Sequence, residues 1–240
     1  MRVHVVFVVL IVFLLPFLVN AWKGYLMPSQ DSEVFEVAND TVVGALAERL
    51  DDITRVLREQ GDGLANATAS QGKKGTRSLY RESDESLCAF IDQQVQKLSE
   101  QASSILGCAT QCVDRPPCEQ ERYCWFFRMY ESDGDFLTWH FDNNFTKGSR
   151  YTMVVTIYAS PDNTSHFLTQ DSKGGVRVHL TETGKGVLYD GCITKHAISR
   201  QSHGENRVVL VIPLYDDYSK TWFGHWRHWA RGVSYKLLSL

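Results

Sequence analysis

Residues 123–159 read YCWFFRMYESDGDFLTWHFDNNFTKGSRYTMVVTIYA. The aromatic and β-branched runs CWFFRMY, FLTWHF and YTMVVTIYA are separated by the turn clusters ESDGD and NNFTKGS. Runs of this length, bounded by Gly, Asp, Asn and Ser, predict strands. The pattern continues downstream, where VRVHL, GVLYD and RVVLVIPLY alternate with SPDNTS, DSKGG, TETGKG and SHGEN. Many short strands at this spacing predict a sandwich or barrel of the jelly-roll class. The chain shows no internal repeat and no phosphate-binding glycine loop.

Upstream the period is helical. Val43, Leu46, Leu50, Ile53 and Leu57 step by 3, 4, 3 and 4 residues, one apolar stripe on a helix. The stripe predicts either a helix packed on the main domain or a short coiled-coil stem, through which helix 43–57 would make a homo-oligomer. Little more than two heptads favours the packed helix. Residues 61–79, GDGLANATASQGKKGTRSL, read as a linker. A second helix follows, with Leu87, Ile91, Val95, Leu98, Ala102 and Ile105 on one face, Ser83 or Asp84 as its cap and Gly107 as its stop. The expected organisation is thus an N-terminal segment 1–22, a helical stem with flexible linker 23–80, and a main domain 81–240. Near the C-terminus Trp222, Trp226 and Trp229 fall at spacings of 4 and 3. That pattern suits an interfacial membrane helix or a helix covering the open side of a small β-domain, and the second is preferred.

Composition is that of a globular protein, with 43% hydrophobic and 22% charged residues. A net charge of −3 and the lack of a basic run give no expectation of nucleic acid as a partner. Val5–Val19 is apolar throughout and follows Arg2, which predicts a signal peptide or a signal anchor. Val19-Asn20-Ala21 suits cleavage, and Val3 through Trp22 is just long enough to span a bilayer. Either fate places the rest in the secretory pathway, in the endoplasmic reticulum or Golgi lumen, or outside the cell. Six cysteines (Cys88, Cys108, Cys112, Cys118, Cys124 and Cys192) and four sequons (Asn39, Asn66, Asn144 and Asn163) agree with that compartment. Disulfides are expected, with 15 pairings open.

The chemistry is concentrated in LTWHFDNN, residues 137–144. Positions i and i+2 of a strand share a face, so His140 and Asp142 converge while Trp139 and Phe141 turn toward the core. Two such groups fill two corners of a metal's coordination sphere. Among His166, His179, His196 and His203, the best-placed third ligand is His196, which follows the strand GVLYDG. Arg207 opens the next strand eleven residues later. Two histidines and one carboxylate leave three open positions on an octahedral ion, the arrangement of non-haem Fe(II) oxygenases. A chelating 2-oxo acid and O₂ fill those positions, and a guanidinium binds the acid's far carboxylate. Each remaining histidine alone reads more simply as structural or solvated. Cys192 reads as inert and buried.

From about residue 85 to 215 the chain resembles the catalytic domain of Fe(II)/2-oxoglutarate-dependent dioxygenases, most of all the prolyl 4-hydroxylase type. FFRMYESDGDFLTWHFD, GSRYTMVVTIYAS and KHAISRQSHGENRVVLVI carry the resemblance. It implies a double-stranded β-helix with N-terminal supporting helices, an iron triad of His140, Asp142 and His196, and 2-oxoglutarate bound by Arg207 and Tyr130. Tyr158 is a further cosubstrate candidate, with core packing as its other reading. Implied cofactors are Fe(II), 2-oxoglutarate and ascorbate, and implied partners are O₂ and a protein or peptide substrate. The expected reaction is hydroxylation of peptidyl proline, as in procollagen-proline 4-dioxygenases. The rival from another class is a non-catalytic luminal binding module on the same scaffold. The turn DSKGGVRVHL departs from the family's usual wording.

Overall fold

The computed structural model describes residues 30–60, 73–74, 77–79, 85–118, 124–131, 134–142, 146–179 and 181–220, with 60, 73–74 and 77–79 as backbone only. The apolar segment 1–22, the sequons at Asn66 and Asn144, the cap positions Ser83 and Asp84, most of the linker and the Trp222–Trp229 stretch lie outside these residues.

Two antiparallel sheets form the body. The larger contains β1 (Val34–Ala38), β9 (Lys185–Asp190), β6 (Arg150–Ala159), β11 (Arg207–Tyr215), β4 (Phe126–Tyr130) and β3 (Arg77–Leu79), in that spatial order. The smaller runs β2 (Lys73–Lys74), β5 (Phe136–His140), β10 (Lys195–Ile198), β7 (Phe167–Gln170) and β8 (Val176–His179). This is the expected jelly roll. β11 lies between β6 and β4 and is buried from Arg207 through Leu214. Its unbroken apolar run reflects a strand covered on both faces.

Each face of the larger sheet has its own core. Phe127, Met129, Met153, Val155, Leu210 and Ile212 face the helices. On the other side Tyr130, Tyr189, Val209 and Val211 meet Leu137, Phe167 and Ile198 of the smaller sheet. The metal-site candidates project into this second, inter-sheet space.

The stripe at 43–57 belongs to two helices, α1 (Asp40–Ala47) and α2 (Leu50–Gln60), broken at Glu48–Arg49. Asp51 and Asp52 lie in the first turn of α2, where carboxylates suit the N-terminal end of the dipole, and Arg49 pairs with Asp52 at 2.8 Å. Val43, Leu46, Ile53 and Leu57 nevertheless all enter the helical core beside α3 (Glu85–Ile105). Because β1 pairs with β9, residues 34–60 share one core with the strands instead of standing off as a stem. The apolar face read as a possible oligomerising seam is covered by the chain itself.

α3 ends as its sequence predicts. Gly107, at φ 79°, donates to the Ser104 carbonyl and Cys108 to that of Ser103, both at 3.0 Å. Disulfides Cys108–Cys112 and Cys118–Cys124 follow, while Cys88 is buried in the helical core and Cys192 is half-buried. Two sequons are engaged inside the fold. Asn39 caps α1 by accepting from the Val42 N–H at 3.0 Å and donates to Gln101 at 2.9 Å. Asn163 donates to Thr181 and to the Ser165 carbonyl.

Candidate metal centre

β5 runs beside β10, and His140 is the register partner of His196. Their ring centroids lie 4.1 Å apart. The next matched pair is Leu137 with Ile198, so β5 carries one residue more than β10 over this step. Strict alternation would send Leu137 and His140 to opposite faces; the bulge brings both into one cleft. Asp142 lies two residues past the strand and donates its N–H to the Gly191 carbonyl at 2.7 Å.

Each putting-together of ligand and support leaves one atom bare. Nδ1 of His140 bonds the Thr138 carbonyl at 2.8 Å, and Nδ1 of His196 bonds that of Thr194 at 3.0 Å. With Nδ1 carrying the donated proton, Nε2 of each ring has a free lone pair. Oδ2 of Asp142 accepts the Thr152 hydroxyl at 2.5 Å and lies 3.7 Å from an Arg150 guanidinium nitrogen. Oδ1 faces Nε2 of His196 at 3.9 Å. The three donor atoms lie within 4.8 Å of one another. Two imidazole nitrogens and one carboxylate oxygen, each steadied through its second polar atom, fit a ferrous ion.

The electrostatics suit ligation. Burial alone would raise the Asp142 pKa, but Arg150, then His196 and His140, hold the carboxyl well below the usual range. Burial pushes His196 below the ordinary imidazole value, and burial together with the neighbouring His196 pushes His140 well below it. The site therefore presents one carboxylate and two neutral rings.

Gly191 is a residue that sequence reading missed. A Cβ there would meet Oδ2 of Asp142 at 2.4 Å and Cγ at 2.9 Å. Gly191→Ala is expected to displace the carboxylate and lower Fe(II) affinity by about 10–100-fold, the scale seen when groups supporting a ligand are changed. Metal titration of the variant checks this, with far-ultraviolet circular dichroism confirming that the sheets are retained. Unchanged affinity would show that Asp142 is not held where a ligand must be.

Arg207 is fully buried, donates to the Ser165 carbonyl at 2.9 Å and lies 4.7 Å from the Tyr130 ring centroid. Tyr130 is also its register partner on β4. Arg207 lines a cleft that shares Val154, Phe167, Ile198 and Val209 with the open cleft around the triad. The structure thus brings His140, Asp142, His196, Arg207 and Tyr130 to one side of the larger sheet.

It does not bring Tyr158 there. Period two would place Tyr158 with Thr156, but the β6–β11 register slips between Val208 and Val209, and Tyr158 packs against the helical core. Trp139 and Phe141, expected in the core, are half-buried and join neither core cluster. The described helices pack on the larger sheet and leave the outer face of the smaller one uncovered. His179 is buried and bonded to Thr169 at 2.8 Å, His166 is half-buried outside the cleft lining, and His203 is exposed. The Cys192 thiol is pushed up to about 12 by burial, which makes it inert. Arg128, Arg150, Thr152 and Tyr189 also line the triad's cleft. For Arg128 and Arg150 the available signal was spacing, since Arg128 precedes Tyr130 by two and Arg150 precedes Thr152 by two on their strands.

No protein-family model matches the chain, and no curated protein matches it in sequence. Solved structures do resemble it. A Pseudomonas putida prolyl-4-hydroxylase is 12% identical with a TM-score of 0.50, covering 83% of this chain and 97% of that one. A Trichoplax adhaerens prolyl hydroxylase, in complex with a hypoxia inducible factor peptide fragment, is 13% identical with a TM-score of 0.55, covering 85% and 89%. The non-heme alpha ketoglutarate dependent epimerase SnoN from nogalamycin biosynthesis is 12% identical with a TM-score of 0.57, covering 86% of each chain. At these identities the likeness is one of fold: the chain has the jelly roll shared by prolyl hydroxylases and other 2-oxoglutarate–Fe(II) oxygenases.

Proposed function

We propose that the protein is an Fe(II)- and 2-oxoglutarate-dependent dioxygenase that hydroxylates a C–H bond, with peptidyl proline in secretory-pathway proteins as its substrate. The observation that carries this reading is the gathering of His140, Asp142 and His196 within 4.8 Å beside the buried guanidinium of Arg207. When bound, Fe(II) supplies activation of O₂ coupled to oxidative decarboxylation of 2-oxoglutarate to succinate and CO₂. The chain's own residues do the positioning. His140 and His196 offer Nε2, Asp142 offers Oδ1, and the Thr138 and Thr194 carbonyls and the Thr152 hydroxyl keep those atoms aimed. Arg207 binds the far carboxylate of 2-oxoglutarate, with Tyr130 beside it. Phe167, Ile198, Val209 and Val211 form apolar walls that limit water around the reacting groups.

A peptide as substrate draws support from the Trichoplax prolyl hydroxylase, seen with a peptide fragment. The metal and cosubstrate draw support from SnoN, solved with Fe3+ and alpha ketoglutarate at 11% identity and a TM-score of 0.56. The secretory compartment rests on the apolar segment 5–19 and on disulfides Cys108–Cys112 and Cys118–Cys124. The test is succinate release from 2-oxoglutarate with Fe(II), in wild type and His140→Ala, followed by mass spectrometry of secreted proteins for a 16-dalton gain on proline. Equal succinate release in both proteins would leave the non-catalytic binding module as the reading.

A further inference from the structure

We infer that Arg128 is a specificity-determining residue that binds a carboxylate on the prime substrate, close to the carbon that is oxidised. This rests on the dioxygenase reading of the cleft and narrows its substrate class to acids: a peptide with Asp or Glu beside the target residue, or a target carrying its own free carboxylate.

Arg128 lies on β4 between Phe126 and Tyr130, and all three side chains line the cleft around the triad. Its register partner is Val209, with Arg207 opposite Tyr130 on one side and Val211 opposite Phe126 on the other. Burial falls along these rungs. Arg207 and Tyr130 are 0% and 1% exposed, Val211 is 9% exposed and Phe126 is half-buried. The Arg207 end is therefore the closed one, and Arg128 stands between it and the open end, where a prime substrate enters.

The guanidinium of Arg128 is set for a ligand. It lies 5.2 Å from the Phe126 ring centroid, which steadies its plane. Its Nε is buried and makes no hydrogen bond, and the side chain forms no ion pair with any described residue. The other two arginines of the site are engaged: Arg150 faces Asp142, and Arg207 donates to the Ser165 carbonyl. A buried Nε–H without an acceptor is unfavourable, so this half-buried guanidinium lining a binding cleft fits best if an anion arrives there. 2-Oxoglutarate has two carboxylates. One is taken by the metal and the other by Arg207, which leaves the third cation for the second substrate. Planar, two-pronged recognition by guanidinium favours a carboxylate over a neutral amide.

Matched acid and amide probes test this. One pair is a capped proline pentapeptide with Glu or Gln directly before or after the proline; the other is N-acetylproline and N-acetylprolinamide, which separates a flanking acid from a terminal one. Affinities are measured by calorimetry on the full chain, once with Mn(II) and 2-oxoglutarate and once with neither. In wild type at least one acid is expected to bind about tenfold or more tighter than its amide, the scale of a charged hydrogen-bonded pair. Arg128→Gln is expected to erase that preference and Arg128→Lys to keep part of it. Equal affinities within every pair, absence of binding by all probes included, would overturn the proposal. So would an Arg128→Gln protein that keeps the preference, or one whose 2-oxoglutarate affinity falls as far as its acid affinity, which would give the guanidinium to the cosubstrate. Failure of Mn(II) and 2-oxoglutarate to bind counts against the dioxygenase reading alone, because the acid–amide comparison is also read without them.

Discussion

Asp142→Ala is expected to abolish Fe(II)-dependent succinate release and to weaken metal binding by about 10³-fold or more, beyond the 10–100-fold typical of losing a supporting group. The carboxylate has two roles, which the variant series separates. Oδ1 faces the histidines as a ligand, while Oδ2 is held by Thr152 and Arg150. Removing the whole group therefore takes away a ligand and also a carboxylate 3.7 Å from Arg150, whose side chain is only 15% exposed. Breaking a buried pair from one side costs up to about 3–5 kcal/mol, so Asp142→Ala should also unfold at lower urea concentration. His140→Ala removes a ligand but leaves Asp142, Thr152 and Arg150 in place. It should lose the metal without a comparable loss of stability. Metal titration and urea unfolding of both variants check the pair. Stoichiometric, tight Fe(II) binding by Asp142→Ala would end the triad assignment.

The part of the site that was legible in the sequence is the part fixed by local period and residue chemistry. His140 and Asp142 two apart, a later His196, and Arg207 opening an apolar strand specify donors of the right kind, and the strands carrying them announce themselves by β-branched and aromatic runs. What was hidden depends on registers between distant segments. The bulge that turns Leu137 and His140 into the same cleft arises between β5 and β10, and the slip that turns Tyr158 away arises between β6 and β11. Neither leaves a mark within a single strand. Gly191 is needed only because Asp142, 49 positions earlier, packs against it. β1 reads as VFEVA, too short to show an alternation, and gains its place by pairing with β9. The helix break at Glu48–Arg49 was invisible because the stripe's spacing continues across it and both halves reach the same core.

Arg207→Met is expected to move affinity and stability in opposite directions. Losing one side of a buried, hydrogen-bonded charge pair costs about 2–5 kcal/mol of binding, so the affinity for 2-oxoglutarate should fall by at least about 30-fold. The free protein should respond otherwise. Arg207 is fully buried, and no carboxylate pairs with it among the described residues. Burial lowers its pKa, offset only in part by Tyr130, which signals a charge held against its desolvation. Its Nε is buried without a hydrogen-bond partner. The acceptor it would leave behind is already served, because the Ser165 carbonyl also accepts from Asn163 at 2.9 Å and from Thr181 at 2.6 Å. An unbranched apolar side chain of similar length can fill the slot beside Tyr130, at the cost of the Arg207–Tyr130 side-chain hydrogen bond. Replacing buried charge with apolar volume is often neutral or stabilising by about 1–4 kcal/mol. Arg207→Met should therefore match or exceed wild-type stability in the absence of 2-oxoglutarate and gain nothing when it is added, whereas wild type should be stabilised by it. Thermal unfolding of both proteins, with and without 2-oxoglutarate and Mn(II), reads both arms. A guanidinium retained for folding alone would give the reverse: a destabilised variant that still binds the cosubstrate. A stable variant that has lost the cosubstrate identifies Arg207 as a charge kept buried for its ligand.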